Sequence, residues 1–320
     1  MGFDAEVIIV GGGPAGLSAA LILARACRSA ILFDSGRPRN QASDHMHGYL
    51  TREGISPPEF LRIGREELEP YDSITIAKAQ VTGARCLADG FEVTVTGGGA
   101  YRSRKLLIAT GVVDNVPAVP GLDALYGTSA FHCPYCDAFE FRGQPVAVYG
   151  RGARAHGLAL ELLGWTHDLA VCTDGPDEMT EDQLAELARH GIIVRRDRVR
   201  RLDGHHGRLE RVIFDAGDPL PRRALFFTTG QHQASALARS LGCEFNNKGT
   251  VRTGRHESTN IPGLFVAGDA SRDVQWVIVA AAEGAEAAFA MTQDLLADER
   301  RAPRVSSEDP GVHTPRGANP

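Results

Sequence analysis

Two cysteines stand two residues apart in the stretch SAFHCPYCDAF, residues 129–139. Cys133 and Cys136 at this spacing can open and close as a disulfide, and the attack that opens it comes from a thiolate, so the chemistry is thiol–disulfide exchange. Pro134 suits the first turn of a helix, and a cysteine at a helix N-terminus is the better leaving thiolate because the dipole lowers its pKa. Cys133 is therefore the expected outward sulfur. Exchange also needs a proton acceptor. His132 and Asp137 flank the pair, and an unperturbed imidazole titrates near neutral pH. For His132 a packing or capping role is the competing expectation. Cys27, Cys86, Cys172 and Cys243 stand alone and are expected to be small buried apolar residues, since six scattered cysteines make no disulfide framework.

The elements that must carry this pair are punctuated by glycine. EVIIV at 6–10 is an apolar strand, and GGGPAGLSAALILARA continues it as a tight turn and a helix. Gly11, Gly13 and Gly16 fit G-x-G-x-x-G: the first for the turn, the second for close approach of a pyrophosphate, the third for helix–strand packing. The phosphate then sits at the helix N-terminus, where free amides favour negative charge. A second strand, SAILFD, ends in Asp34, about 20 residues on, where an acid meets a ribose hydroxyl. The pattern recurs in QPVAVYGRGARAHGLALELLGW with Gly150, Gly152 and Ala155, and DLAVCTD ends in Asp174. Two readings stay open for this repeat: a second dinucleotide site suited to NAD, or a retained fold whose site is lost. Arg151 and Arg154 place long side chains where a pyrophosphate should meet bare backbone.

RKLLIATGV at 104–112 and ALFFTTGQ at 224–231 are strands that run into Thr-Gly. The strand in IPGLFVAGDASRDVQW delivers Gly268 and Asp269 to the start of a small-residue helix. From about residue 301 the chain is rich in Pro, Ser and Gly without apolar periodicity, and a disordered tail is expected.

At 320 residues the chain calls for two domains, or one split by another. Its 43% apolar and 23% charged composition is that of a soluble globular protein. A net charge of -6 argues against nucleic acid as partner, and Arg195, Arg196, Arg198, Arg200 and Arg201 read as solvated surface. No basic n-region or bilayer-length apolar run is present, so the expectation is a cytoplasmic protein without a membrane partner. No metal is expected.

Together, Gly11–Gly16, Ala109-Thr110-Gly111, Cys133-Pro-Tyr-Cys136, the glycine turn at 150 and Gly268-Asp269 resemble the low-molecular-weight thioredoxin reductase class of FAD-dependent disulfide oxidoreductases, over residues 5–298. CPYC is also a glutaredoxin-like string, but DAFEFRGQP is too short and turn-rich for the long helix that fold needs. The glutathione-reductase class carries its pair in the FAD domain; residues 40–60 here hold no cysteine. The resemblance implies an α/β fold of two Rossmann-like, three-layer FAD/NAD(P)-binding domains, the second inserted into the first. It implies an FAD domain at 1–114 and 240–300, an insert at 115–239, and a homodimer. It also implies flavin contacts from Gly11, Gly13, Pro14, Ala15, Gly16, Asp34, Ser35, Arg39, Asn40, Val81, Ala109, Thr110, Gly111, Gly268, Asp269, Gln275, Trp276 and Val277. His45 or His47, in HMHGYL, is a further candidate to face the flavin, with a surface or packing role as the alternative. Cys136 is the inner sulfur, next to the flavin, and Asp137 carries acid–base work.

One departure matters. Reductases of this class using NADPH carry a His-Arg-Arg cluster and a further Arg after the second strand of the insert; here the chain reads VCTDGPDEM, and Asp174, Asp177 and Glu178 would repel a phosphate. A branch similar in its C-P-[YF]-C pair and altered nucleotide site is the dithiol oxidases, which close disulfides in epidithiodiketopiperazines, dithiolopyrrolones and disulfide-bridged depsipeptides. By that resemblance a small-molecule dithiol is the substrate, FAD the cofactor, and O2 the acceptor, with release of H2O2. The alternatives are a thioredoxin reductase using NAD(P)H, a ferredoxin-dependent reductase, and a non-enzymatic flavin-binding protein.

Overall fold

The computed structural model describes residues 2–301, so the expected tail lies, apart from Arg301, outside the described residues. In β1 (Ala5–Val10), Val7 and Ile9 face one side and Ile8 and Val10 the other, all buried. Such a strand belongs in the middle of a sheet covered on both faces. It pairs in parallel with β2 (Ala30–Asp34) and β6 (Ala100–Ile108); β3 (Ile74–Lys78) adds to β2, and β17 (Leu264–Val266) to β6. Antiparallel β4 (Val81–Cys86) and β5 (Phe91–Val95) complete this first sheet through the N-terminal half of β6. Leu17 and Leu23 of α1 (Pro14–Arg25), Leu61 of α2 (Pro57–Glu66) and Met291 of α7 (Val277–Arg301) cover the Val7 side. Leu237 and Ala238 of α6 (Leu237–Ser240) pack on the Ile8 side.

The chain leaves this sheet through β7 (Val112–Asp114) and returns through β16 (Gln231–Gln233), which pair antiparallel as a neck. Between them stands a second, all-parallel sheet in the order β11 (Ile193–Arg195), β10 (Leu169–Cys172), β9 (Val146–Tyr149), β15 (Ala224–Phe227), β8 (Ala130–Phe131). Leu162 of α4 (Gly152–Leu162) and Leu187 of α5 (Glu181–Arg189) cover one face. A three-stranded sheet of β12 (Val199–His205), β13 (Arg208–Phe214) and β14 (Leu220–Pro221) covers the other with Leu202, Val212 and Phe214. The fold is thus two Rossmann-like domains, the second inserted into the first.

Three expectations change. Cys172 and Cys243 are buried, but Cys27 and Cys86 are exposed: Cys27 turns into the left-handed region (φ 56°) beyond α1, and Cys86 ends β4 at the sheet edge. The helix after Cys133, α3 (Pro134–Asp137), is a single turn with Cys133 as its N-cap, so its dipole contribution is small. Asp269 lies in a loop eight residues ahead of α7 rather than at its start.

The contact between α1 and α7 fixes the glycine turn from behind. A Cβ on Gly284 would stand 1.9 Å from the Ala15 carbonyl oxygen, so Gly284→Ala must push α7 off α1. Overpacking of this kind costs about 1–3 kcal/mol. We expect a melting temperature lowered by several degrees, on the order of 2–4 °C per kcal/mol for a chain of this size, with flavin fluorescence released at lower temperature, both read in one thermal scan.

Candidate active site

The carboxyl ends of β1, β6 and β17 bring the three glycine motifs of the first domain together, the position where open α/β sheets bind ligands. Gly11 takes φ +116°, and a Cβ there would lie 2.3 Å from the Ala109 carbonyl; one on Gly16 would lie 1.9 Å from the Gly11 carbonyl. These close approaches fix the turn, while the space beside Gly13 is open. Asp34 ends β2 against Gly12 and accepts the Gly36 amide at 2.8 Å. Gly111 packs against Asp269. The Thr110 hydroxyl is buried and has no hydrogen-bond partner. An orphaned buried donor beside an open glycine cradle is what a bound dinucleotide would satisfy, so these residues fit FAD. Glu283 of α7 holds the loop from below, accepting the Gly268 amide at 2.7 Å and Arg272 at 2.8 Å.

Cys133 and Cys136 form a closed disulfide at a Cα separation of 5.3 Å. A cavity of about 380 Å3 opens on it, lined by Cys133 but not Cys136, and by His132, Tyr135, Gln275 and Trp276. The outward sulfur expected from sequence therefore shares a cavity with Gln275 and Trp276, two of the expected flavin contacts. Tyr135 packs on Trp165 (5.3 Å between ring centroids) and on Trp276 (5.8 Å), is otherwise exposed, and shares the cavity wall with Cys133.

Both proton-acceptor candidates are half-buried beside the pair. Burial, aided by the charge of Glu140, pushes the Asp137 carboxyl up to about 7, with His47 opposing. Burial holds the His132 imidazole below its ordinary value, against the pull of Asp114. His47 comes from the first domain; its Nδ1 lies 2.6 Å from Glu53 and its Nε2 3.9 Å from Glu140. His45 contacts the Gly54 carbonyl at 3.0 Å and is exposed. Arg39 reaches across the domain junction to Asp114, Asp269, Gln275 and Gln231. Asn40 and Ser35 follow β2 on the loop that carries it, Val81 is buried at the start of β4, and Trp276 and Val277 lead into α7.

The second glycine turn is occupied by the chain itself. Arg151 donates through Nε to the Thr173 carbonyl at 2.7 Å and through Nη2 to the Asp174 carbonyl. The Gly152 amide donates to the Asp177 carbonyl at 2.7 Å. Asp174, which the sequence suggested for a ribose, takes φ 53° and accepts the Val199 amide at 2.8 Å and the Tyr149 hydroxyl at 3.1 Å. Asp177 is paired with Arg196 at 2.5 Å. Sequence reasoning missed Asp114, Tyr126, Gln231 and Glu283, none of which belongs to a motif; only the fold brings them to the site.

Two Rossmann-like domains, a flavin cradle and a CxxC disulfide at their junction define a FAD-dependent thiol–disulfide oxidoreductase. The model of the pyridine nucleotide-disulphide oxidoreductase family matches residues 5–284, and the chain belongs to that family. It is 32% identical over 307 residues to thioredoxin reductase aclD of Aspergillus oryzae, covering 92% of this chain and 98% of that one. It is 32% identical to thioredoxin reductase tcpT of Claviceps purpurea, covering 92% and 95%. Among solved structures it is similar to HlmI (33% identity, TM-score 0.88, covering 92% and 94%) and to a putative thioredoxin reductase TrxB from Bacillus anthracis (31%, TM-score 0.87, 92% and 99%).

Proposed function

We propose that the protein is a dithiol oxidase: it closes an intramolecular disulfide in a small-molecule, natural-product dithiol, and O2 takes the electrons with release of H2O2. The observation that carries this reading is the second glycine turn, where the Gly152 amide and the Asp174 carboxylate, the two groups a pyridine nucleotide would need, already have partners within the chain. The substrate then has to be the electron donor. A thiolate of the substrate attacks Cys133 Sγ; the bond to Cys136 breaks, and Cys136 leaves as thiolate. The second substrate thiolate attacks the substrate sulfur of this mixed disulfide, releasing cyclic disulfide and leaving both cysteines reduced. His132 and Asp137 take the two protons. FAD, when bound, supplies the two-electron acceptor for the reduced pair and the route from it to O2.

We assign the flavin contacts to the cradle of Gly11–Gly16, Asp34, Ala109–Gly111 and Gly268–Asp269, with Gln275–Val277 toward the ring. The FAD domain takes residues 1–114 and the segment after β16, a return drawn ahead of Leu237 because that residue already packs under the first sheet. Among the described residues no helix is long and apolar enough to cross a membrane. A homodimer in the cytoplasm is our reading from the resemblance.

The relatives' names favour a second reading, a thioredoxin reductase fed by NAD(P)H. Anaerobic mixing separates the two. Under the first reading a small dithiol bleaches the yellow flavin band while NADPH and NADH leave it unchanged, and readmitted air restores it with peroxide formed. Prompt bleaching by either nucleotide, with none by dithiols, would overturn it.

A further inference from the structure

Asp114 is the last residue of β7, in the neck between the domains, and its carboxylate is shared by three groups. Both oxygens face the Arg39 guanidinium, with Nε at 2.8 Å from Oδ2 and Nη2 at 2.6 Å from Oδ1. Oδ2 also accepts the Tyr126 hydroxyl at 3.4 Å and lies 3.8 Å from His132 Nδ1. The last separation is an electrostatic contact rather than a hydrogen bond, of the kind that tightens when substrate fills a site. The imidazole neighbours Cys133 in the cavity wall, with 33% of its side chain accessible. Arg39 is itself fixed from both sides, by Asp269 at 2.7 Å and Gln275 at 2.7 Å in the first domain and by Gln231 at 3.1 Å in the neck.

We propose that the Arg39–Asp114 pair positions His132 as the proton acceptor for the thiol that attacks Cys133, Asp114 orienting the ring and Arg39 limiting how far that carboxylate draws a proton onto it. A lone buried carboxylate beside an imidazole favours the protonated ring, and a protonated ring accepts nothing. With a guanidinium across both its oxygens, Asp114 orients the ring while its charge is largely answered. The charged and titratable groups facing His132 are Asp114, Arg39, Asp269 and the Tyr126 hydroxyl. Because Arg39 comes from the first domain and His132 from the second, the Arg39–Asp114–His132 arrangement exists only while the two are docked. The inference rests on the dithiol-oxidase reading for the identity of the attacking thiol.

The test reads the ring directly. Oxidised holoenzyme with 15N-labelled histidine is titrated by NMR, and His132 is assigned by its loss in His132→Gln. Arg39→Gln is expected to raise the His132 midpoint by about one pH unit, as loss of a nearby like charge does, whereas Asp114→Asn lowers it. Arg39→Lys, which keeps the charge, stays near wild type. Opposite signs support the proposal; an unchanged midpoint in Asp114→Asn, or shifts of the same sign in both, would overturn it. If Arg39→Gln does not fold, the downward shift in Asp114→Asn decides alone. Turnover is not measured, so a wild-type enzyme that takes up no oxygen would remove the dithiol-oxidase reading and leave this result standing.

Discussion

Cys136→Ser leaves a protein that binds flavin, turns over no dithiol, and forms a stable mixed disulfide through Cys133 when it is offered a disulfide reagent. The loss is expected to be roughly a thousandfold or more, because a serine hydroxyl at neutral pH replaces neither a thiolate nucleophile nor a thiolate leaving group. Cys133→Ser loses as much activity but gives a different residue of chemistry. Its remaining sulfur, Cys136, lies within the one-turn α3 and does not line the cavity. Addition of 5,5′-dithiobis(2-nitrobenzoate) should therefore label Cys136→Ser quickly and Cys133→Ser slowly, with the adduct read by intact mass before and after reductant. Equal labelling would mean that the inner and outer sulfurs are not distinguished by access. The flavin spectrum separates this from misfolding, since neither cysteine lies among the cradle residues at Gly11–Gly16 or Ala109–Gly111.

The parts of this site that were legible in the sequence are those where chemistry depends on local backbone. Gly11 and Gly16 are readable because a Cβ at either position meets a carbonyl a few residues or one strand away. The CxxC pair is readable because two thiols must lie within one turn. Asp174 marks where this stops: its type and its place after β10 suit a ribose, but a left-handed φ turns its carboxylate inward to Tyr149 and Val199. The Asp-Gly of VCTDGPDEM admits a turn, but nothing in the stretch says where the carboxylate will point. Arg39, expected as a flavin contact, reaches four side chains 75 to 236 residues away in sequence, so its role in the neck is a product of the fold alone. The solitary cysteines failed for a simpler reason. Residue type predicts burial on average, but Cys27 and Cys86 fall where a helix and an edge strand end.

Asp137→Asn is expected to cost catalysis without costing stability, and that contrast identifies what the residue does. Burial and the Glu140 charge raise its carboxyl to about 7, so near neutral pH it both takes and gives a proton. A positioned group with a pKa near the working pH contributes about 10²- to 10⁴-fold, and asparagine, which cannot exchange a proton, should lose a factor in that range. The pH–rate limb near 7 should vanish with it. Stability moves otherwise. A carboxyl whose folded pKa lies above its unfolded value binds more protons folded than unfolded in the window between them, so stability falls as pH rises from about 4 to about 7 and then levels. Asparagine removes that dependence, and at pH 8 the variant should melt no lower than wild type. Glu140→Gln provides the check, since removing the like charge should move the rate limb to lower pH while leaving the disulfide chemistry in place. A variant that melts early and loses activity at every pH alike would show Asp137 to be a packing residue, and the second proton would then have to leave by His132.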